Sequence, residues 1–346
     1  MLTPARRPAQ VEVIGGSLRK AIPQFDVAKK LAGRPLERVM LHRGLAGKAL
    51  RQIGRLALTA MVWPRFVAPF WCRVAHYQMP IKALPAAFEN YRIAHISDLH
   101  TGTTRQRFLR QLAETVSAEK PDMIVVTGDW IDYHPESLDK LAEILPLLQA
   151  RDGVTGIFGN HDYHEYSWRH VGARSSHRSI HKRLGRMLQQ HGVHLLVDEA
   201  RPVERSGERL WFVGLDEMWV GKSNPERAFA SVPPGAACIC LQHNPDGYPR
   251  LKSYPWQWML CGHSHGGQVV LPIIGPLFLP MENRQWIRGL FCFPADGPVE
   301  KRMFVNRGVG YSTPLRMLAA PEIVFFSLRT IPGIATPVQP AAAGLQ

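Results

Sequence analysis

Two pairs of residues able to bind metal stand on alternate positions, Asp98-x-His100 and His263-x-His265. In an extended segment alternate side chains point to one side, so each pair can serve a single centre. Between the pairs come Gly128-Asp129, Gly159-Asn160-His161-Asp162 and His243. Asp129 and Asn160 offer oxygen donors, and a carboxylate such as Asp129 can bridge two cations. Mixed imidazole and carboxylate donors suit Mn²⁺, Fe or Zn²⁺ better than Ca²⁺. Gly102, Gly128, Gly159, Gly262, Gly266 and Gly267 flank these residues, allowing tight turns and close approach of an anionic substrate to the backbone. Each pattern alone is common in surface loops. Together, in order and each after an apolar run, they point to a metal centre.

The elements that must carry these residues alternate in type. Apolar, β-branched runs at Tyr91–Ile96, Met123–Thr127 and Val154–Phe158 read as strands, and each ends in one of the polar groups. Helical patterns at Thr104–Glu119 and Glu136–Gln149 separate them. This alternation argues an α/β sheet whose ligand-bearing residues gather at the carboxyl ends of its strands. Further strands are expected at Leu210–Leu215, Ala236–Leu241, Gln257–Leu260, Gln268–Leu271 and Glu322–Leu328. Two of these lead into His243 and the His263-x-His265 turn. The pieces suggest two sheets face to face with helices outside. Seven more histidines, His134, His164, His170, His177, His181, His191 and His194, fall outside the pattern. The polar, aromatic stretch Tyr163–His181 reads as a solvated loop able to reach over a substrate.

The 346-residue chain is 45% hydrophobic, enough for a globular core, and has a net charge of +14. That charge is uneven: residues 1–75 hold 14 Lys and Arg against 3 Asp and Glu, a net +11. Leu36–Met61 has helical periodicity with arginines and lysines along it, and Trp63, Phe66, Phe70 and Trp71 follow. A basic amphipathic helix with aromatic residues suits an anionic membrane surface, or else an arm packed on the protein. The apolar stretch Leu56–Cys72 contains Pro64, Arg65 and Pro69 and is expected not to span a bilayer. No secretory signal fits the start. The five cysteines, Cys72, Cys238, Cys240, Cys261 and Cys292, have no repeated spacing and do not suggest a disulfide framework. The expected domains are a basic extension at 1–75, a catalytic domain at 76–331 and a tail at 332–346.

The ordered set Asp98-x-His100, Gly128-Asp129, Gly159-Asn160-His161-Asp162, His243 and Gly262-His263-x-His265 resembles the calcineurin-like metallophosphoesterases. Gly262–Gln268, Asn306–Gly310, Pro314-Leu315-Arg316 and Pro321-Glu322-Ile323 resemble the bacterial branch of membrane-associated phosphodiesterases. The resemblance covers about Ile93 to Leu328. It implies a four-layer α/β/β/α sandwich of two mixed sheets. It also implies one metal on Asp98, His100 and His265, a second on Asn160, His243 and His263, and Asp129 bridging them. By the same resemblance His161 protonates the leaving oxygen and Asp162 holds its imidazole.

Two divalent metals about 3.5–4 Å apart turn a bridging water into a nucleophile and offset charge on a phosphoryl group. The expected activity is therefore hydrolysis of phosphodiester or pyrophosphate bonds, with Mn²⁺ as the favoured metal and Fe, Zn²⁺ or Mg²⁺ as others. The basic arm favours a lipid-linked substrate, and within the branch this resemblance suggests UDP-2,3-diacylglucosamine of lipid A synthesis. A nuclease, a phosphoprotein phosphatase and a catalytically silent metal-bearing scaffold are the alternatives. No specific nucleic acid partner is expected. The expected location is peripheral, on the cytoplasmic face of a bacterial inner membrane.

Overall fold

Strand side chains alternate between two apolar environments, and this alternation creates the layers. The computed structural model describes residues 62–331 apart from 133, 135, 164–173, 220–222, 278 and 294–299, and upstream of them only Gln52. Its strands are β1 (Arg73–Ile81), β2 (Arg92–Ile96), β3 (Met123–Thr127), β4 (Val154–Ile157), β5 (Val193–Leu195), β6 (Glu199–Arg205) and β7 (Glu208–Gly214). They continue as β8 (Cys238–Leu241), β9 (Trp258–Cys261), β10 (Val270–Leu271), β11 (Gly275–Pro276), β12 (Gly289–Phe293), β13 (Lys301–Val305) and β14 (Glu322–Thr330). The α-helices are α1 (Gln106–Ala118), α2 (Ser137–Ile144), α3 (Arg174–Gln190), α4 (Pro225–Phe229) and α5 (Tyr248–Leu251).

One six-stranded sheet has the order β1-β14-β2-β3-β4-β5, the other β12-β13-β9-β8-β7-β6, and β10-β11 is a separate hairpin. In the first sheet β2, β3, β4 and β5 are parallel neighbours, and β14 is antiparallel to β2. In the second, β7, β8, β9 and β13 are parallel neighbours while β6 and β12 run against the edges. Both sheets are therefore mixed.

The period of two is read directly in the core. Ile93, Met123, Val125, Val324 and Phe326 of the first sheet meet Phe212, Ile239, Leu241, Trp258 and Leu260 of the second, filling the space between the sheets. Their alternates Ala94, Ile96, Ile124, Val126 and Phe325 face outward onto Leu109, Leu112, Val116, Leu138 and Leu184 of α1, α2 and α3. On the far side Cys238, Cys240, Met259 and Met303 face Phe229 and Leu251 of α4 and α5. The result is the four-layer α/β/β/α sandwich expected from the sequence. Helix α1 shows why: Leu109, Leu112, Ala113 and Val116 recur at helical spacing and are buried. Each large side chain taken out of water contributes about 1.5–3 kcal/mol. Cys238 and Cys240 occupy buried strand positions as expected, and the five cysteines are free.

Several expectations change. The stretch Tyr163–His181 is not a solvated loop throughout: helix α3 starts at Arg174 and buries Leu184 and Leu188. Its charged residues hide that apolar face in the sequence. Strand β1 begins at Arg73 and pairs with β14 along its length, so the sheet crosses the expected boundary at 75. Phe70, expected at a membrane interface, packs instead edge-on against Phe108 and Tyr311 with the Arg105 guanidinium over its ring. Trp63, Phe66 and Trp71 are exposed. Apart from Gln52, the helical segment Leu36–Met61 lies outside the described residues, as does 332–346. Among the described residues no helix is long and apolar enough to cross a membrane.

Candidate metal centre

Parallel neighbours end at the same edge of a sheet, so the loops after them converge. Asp98 and His100 follow β2, Asp129 follows β3, and Asn160 and His161 follow β4. From the second sheet His243 follows β8, and His263 and His265 follow β9. All seven expected ligands are buried, at 8% exposure or less. They form two groups whose donor atoms lie within 4.8 Å of one another: Asp98, His100, Asp129 and His265, then Asp129, His243 and His263. Asp129 belongs to both. Asn160 joins the second group, its Oδ1 lying 3.2 Å from His243 Nε2 and 2.9 Å from His263 Nδ1.

The way these side chains converge differs from the expectation of extended backbone. Asp98 (φ 55), His100 (φ 45), Asp129 (φ 54), His263 (φ 69) and His265 (φ 49) all occupy the left-handed region. Such non-glycine residues cost about 1–3 kcal/mol each where held in unfavourable backbone, and they persist only when surroundings over-determine them. Here the neighbouring loops do so. Asp98 N–H donates to Gly128 O (3.0 Å), and His100 N–H donates to Asp129 O (3.1 Å). His263 N–H donates to both Asp98 oxygens, at 3.1 and 3.2 Å. Gly128 is required by its own φ of 90° and by the His243 ring, which a Cβ would meet at 2.7 Å.

The inward atoms are electron pairs in search of a cation. His243 Nδ1–H donates to Thr127 O at 2.6 Å, and His263 Nε2–H donates to Pro280 O at 3.0 Å. In the neutral form of each ring, the one a metal ligand needs, the other nitrogen turns its lone pair inward, and the two are 3.3 Å apart. His100 and His265 likewise set Nε2 against Nε2 at 3.1 Å, where at most one proton fits. His265 Nε2 is 3.5 Å from Asp98 Oδ1, and Asp129 Oδ2 is 3.5 Å from His100 Nε2 and 3.3 Å from His243 Nε2.

Electrostatics agree. Burial, reinforced by Asp129 and opposed by His243, pushes the Asp98 carboxyl up to about 6. Burial would depress His243, but the Asp129 and Asp98 carboxylates overcome it and raise that imidazole to about 10. Without a cation, one histidine must therefore carry a proton to balance the carboxylates. Burial drives His263 down to about 3, keeping that ring neutral as a metal ligand needs, and pushes His161 down to about 4. Two groups, each with a carboxylate and at least two imidazoles, fit two divalent metals.

His161 and Asp162 occupy the rim and floor. The His161 ring stands edge-on to His100 with centroids 4.6 Å apart, and the His161 backbone N–H donates to Asp129 Oδ1 at 2.9 Å. Asp162 was expected to hold the imidazole. Its oxygens instead accept from Gly159 N–H (2.8 Å) and Ile131 N–H (3.1 Å), fixing the turn that carries Asn160 and His161. The orphan donors of that turn draw the carboxylate down to the backbone.

Sequence reasoning passed over one structural hub. Arg316 is wholly buried, with its basicity lowered by burial to about 10. Its guanidinium donates to the carbonyls of His265 (3.3 Å), Arg307 (2.9 Å), Ala319 (2.9 Å), Gly308 (3.2 Å) and Gly310. The loop it gathers lies on the first ligand turn: Val309 N–H donates to Ser97 O and Gly310 N–H to Asp98 O. The only signal for it was the Pro314-Leu315-Arg316 stretch.

A four-layer sandwich with two ligand groups sharing one carboxylate defines a class: metal-dependent hydrolases of phosphoesters. Residues 91–267 match the model of the family described as calcineurin-like phosphoesterase, and the chain belongs to that family. It is similar to the uncharacterized metallophosphoesterase YkuE of Bacillus subtilis, 28% identical over 273 residues, 78% of this chain and 89% of that one. It is 28% identical to phosphodiesterase YaeI of Escherichia coli over 76% of this chain and 90% of that one. It is 29% identical to UDP-2,3-diacylglucosamine pyrophosphatase LpxG of Chlamydia muridarum, over 76% of this chain and 91% of that one.

Proposed function

We propose that this enzyme hydrolyses a phosphodiester or pyrophosphate bond in a lipid-linked substrate, with UDP-2,3-diacylglucosamine as the first candidate. The observation that carries the chemistry is the pair of ligand groups joined at Asp129. Asp98, His100 and His265 would hold one metal and Asn160, His243 and His263 the other. Mn²⁺ is the favoured occupant, because the donors mix imidazole with carboxylate and amide oxygen. When bound, such a pair supplies Lewis acidity toward a phosphoryl group and an activated water. The protein's own part is to fix donors and to move a proton. Thr127 and Pro280 carbonyls orient the two histidine rings. His161, at the rim and half-buried, is placed to give a proton to the departing oxygen. Asp162 acts on that step only by shaping the turn.

The lipid-linked substrate is supported by similarity to a UDP-2,3-diacylglucosamine pyrophosphatase, and by the basic segment that leads into exposed Trp63, Phe66 and Trp71. That segment would hold the enzyme to the anionic face of a bacterial inner membrane, on the cytoplasmic side. Protein loaded with Mn²⁺ should cleave both bis-p-nitrophenyl phosphate and UDP-2,3-diacylglucosamine in mixed micelles, the latter to two phosphomonoesters. Turnover of the soluble diester without turnover of the lipid would eliminate this substrate and leave the hydrolase intact.

A further inference from the structure

The β10-β11 hairpin is a feature that neither the fold nor the metal centre explains. Residues 271–280 read Leu-Pro-Ile-Ile-Gly-Pro-Leu-Phe-Leu-Pro, with no polar side chain among them. In a water-soluble loop a run of this kind would fold inward. Here Ile273 is 108% exposed, Ile274 72% and Leu277 46%. Leu318, on the strand-like stretch bridged to this region through Val269 and Met317, is 59% exposed.

Two of these residues are also poorly suited to their backbone. Ile273 has φ 69 and Leu318 φ 53, where glycine or asparagine is at ease and a β-branched side chain is an outlier. An isoleucine that buries nothing and strains its own turn does not serve the folding of this chain. Around the apolar tip stand cations. Arg284 donates to Pro276 O, Arg288 donates to Leu318 O, and Arg65 donates to Pro314 O. Arg316 N–H donates to Pro64 O, so the same loop links this tip to the segment bearing Trp63 and Phe66. An apolar tip rimmed by arginines complements a bilayer with anionic headgroups.

The hairpin is also an extension of the metal centre. It begins five residues after His265, and Pro280 at its far end accepts the hydrogen bond from His263. We infer that the β10-β11 hairpin, with Leu318, seats in the interfacial layer of an anionic lipid bilayer and thereby holds the ligand turn His263–His265 beside the membrane surface. This deepens the reading of a lipid-linked substrate, yet its test needs no substrate. The N-terminal arm would bind by charge, which salt screens, whereas isoleucine insertion is not screened.

The test uses the full chain and vesicles of equimolar phosphatidylcholine and phosphatidylglycerol. The double variant Ile273→Asn, Ile274→Ser removes the apolar tip and puts asparagine where φ is positive, so its melting temperature should be equal or higher. Its partition onto vesicles should fall about tenfold or more, with the loss persisting at high salt, while hydrolysis of bis-p-nitrophenyl phosphate is unchanged. Equal partition of variant and parent at high salt overturns the inference. So does a parent that ignores vesicles but self-associates through the tip, becoming monomeric in the variant. Hairpin-dependent partition without cleavage of UDP-2,3-diacylglucosamine supports this inference while removing the proposed substrate.

Discussion

The two halves of the metal centre are held by different means. On the first sheet, strand register does most of the work: Asp98 and His100 hang from Gly128 and Asp129 carbonyls of the next loop, and His161 N–H reaches back to Asp129. Neighbouring parallel strands set those distances, so the ligands come with the sheet. On the second sheet, the His263–His265 turn leaves its strand and is pinned by remote groups. Asp98 grips His263 N–H, Pro280 orients the ring, and Arg316 holds His265 O. The first half is a product of topology, the second of a few side chains far away in sequence. A centre built this way can fail in two separable ways.

The strongest attack is on what both halves share. Asp129→Asn should abolish turnover almost completely and loosen both metals, since one carboxylate serves both groups. Retention of two metals by mass spectrometry with a near-normal rate would falsify the bridge. Next is His161→Ala, which lies at the rim of the first half without being a ligand. Metal content should be unchanged, and alkyl phosphodiesters should slow by about 10²–10⁴-fold, far more than nitrophenyl esters. Equal slowing of both would take His161 out of the proton transfer.

Arg316→Met probes the remote pinning. It strips five carbonyls of their donor and should weaken the metal held with His265 by about 10–100-fold, sparing the one held with His243. Calorimetric titration that shows both sites weakened alike would mean that Arg316 steadies the whole His263–His265 turn and not His265 alone. The smallest effect belongs to Asp162→Asn. Asparagine can accept one of the two backbone N–H groups, so thermal unfolding should report a loss of about 1–3 kcal/mol, with modest loss of rate. A rate loss matching that of His161→Ala, without loss of stability, would return Asp162 to a direct role on the imidazole.

The same asymmetry governs how much the sequence revealed. Strands β2, β3, β4, β8 and β9 are short apolar runs ending in a residue of the candidate centre, and both the runs and those residues were legible. Strands β1, β5, β6, β12 and β13 were not. β6 reads Glu-Ala-Arg-Pro-Val-Glu-Arg and buries only Val203, and β1 mixes His76 and Gln78 into its run. Their identity as strands comes from the partner beside them, which a local pattern does not contain. The ligand types were legible, but their backbone was not: the left-handed φ values arise from loops packed against each other. Arg316 escaped because a lone arginine in a loop gives no local sign that it will be buried among carbonyls.

The place of β14 has a consequence for synthesis of the chain. It inserts between β1 and β2, and the loop before it lies on Asp98. Until the ribosome has delivered residues near 330, β1 has no neighbour and β2 presents a bare, apolar edge. Every ligand has already emerged by then, yet the first sheet cannot close. A growing polypeptide therefore spends most of its translation with an open strand edge, the kind of surface that invites mispairing and chaperone capture. Activity should begin only once β14 has been made, and a premature stop anywhere before β14 should yield an aggregating product in place of a weak enzyme.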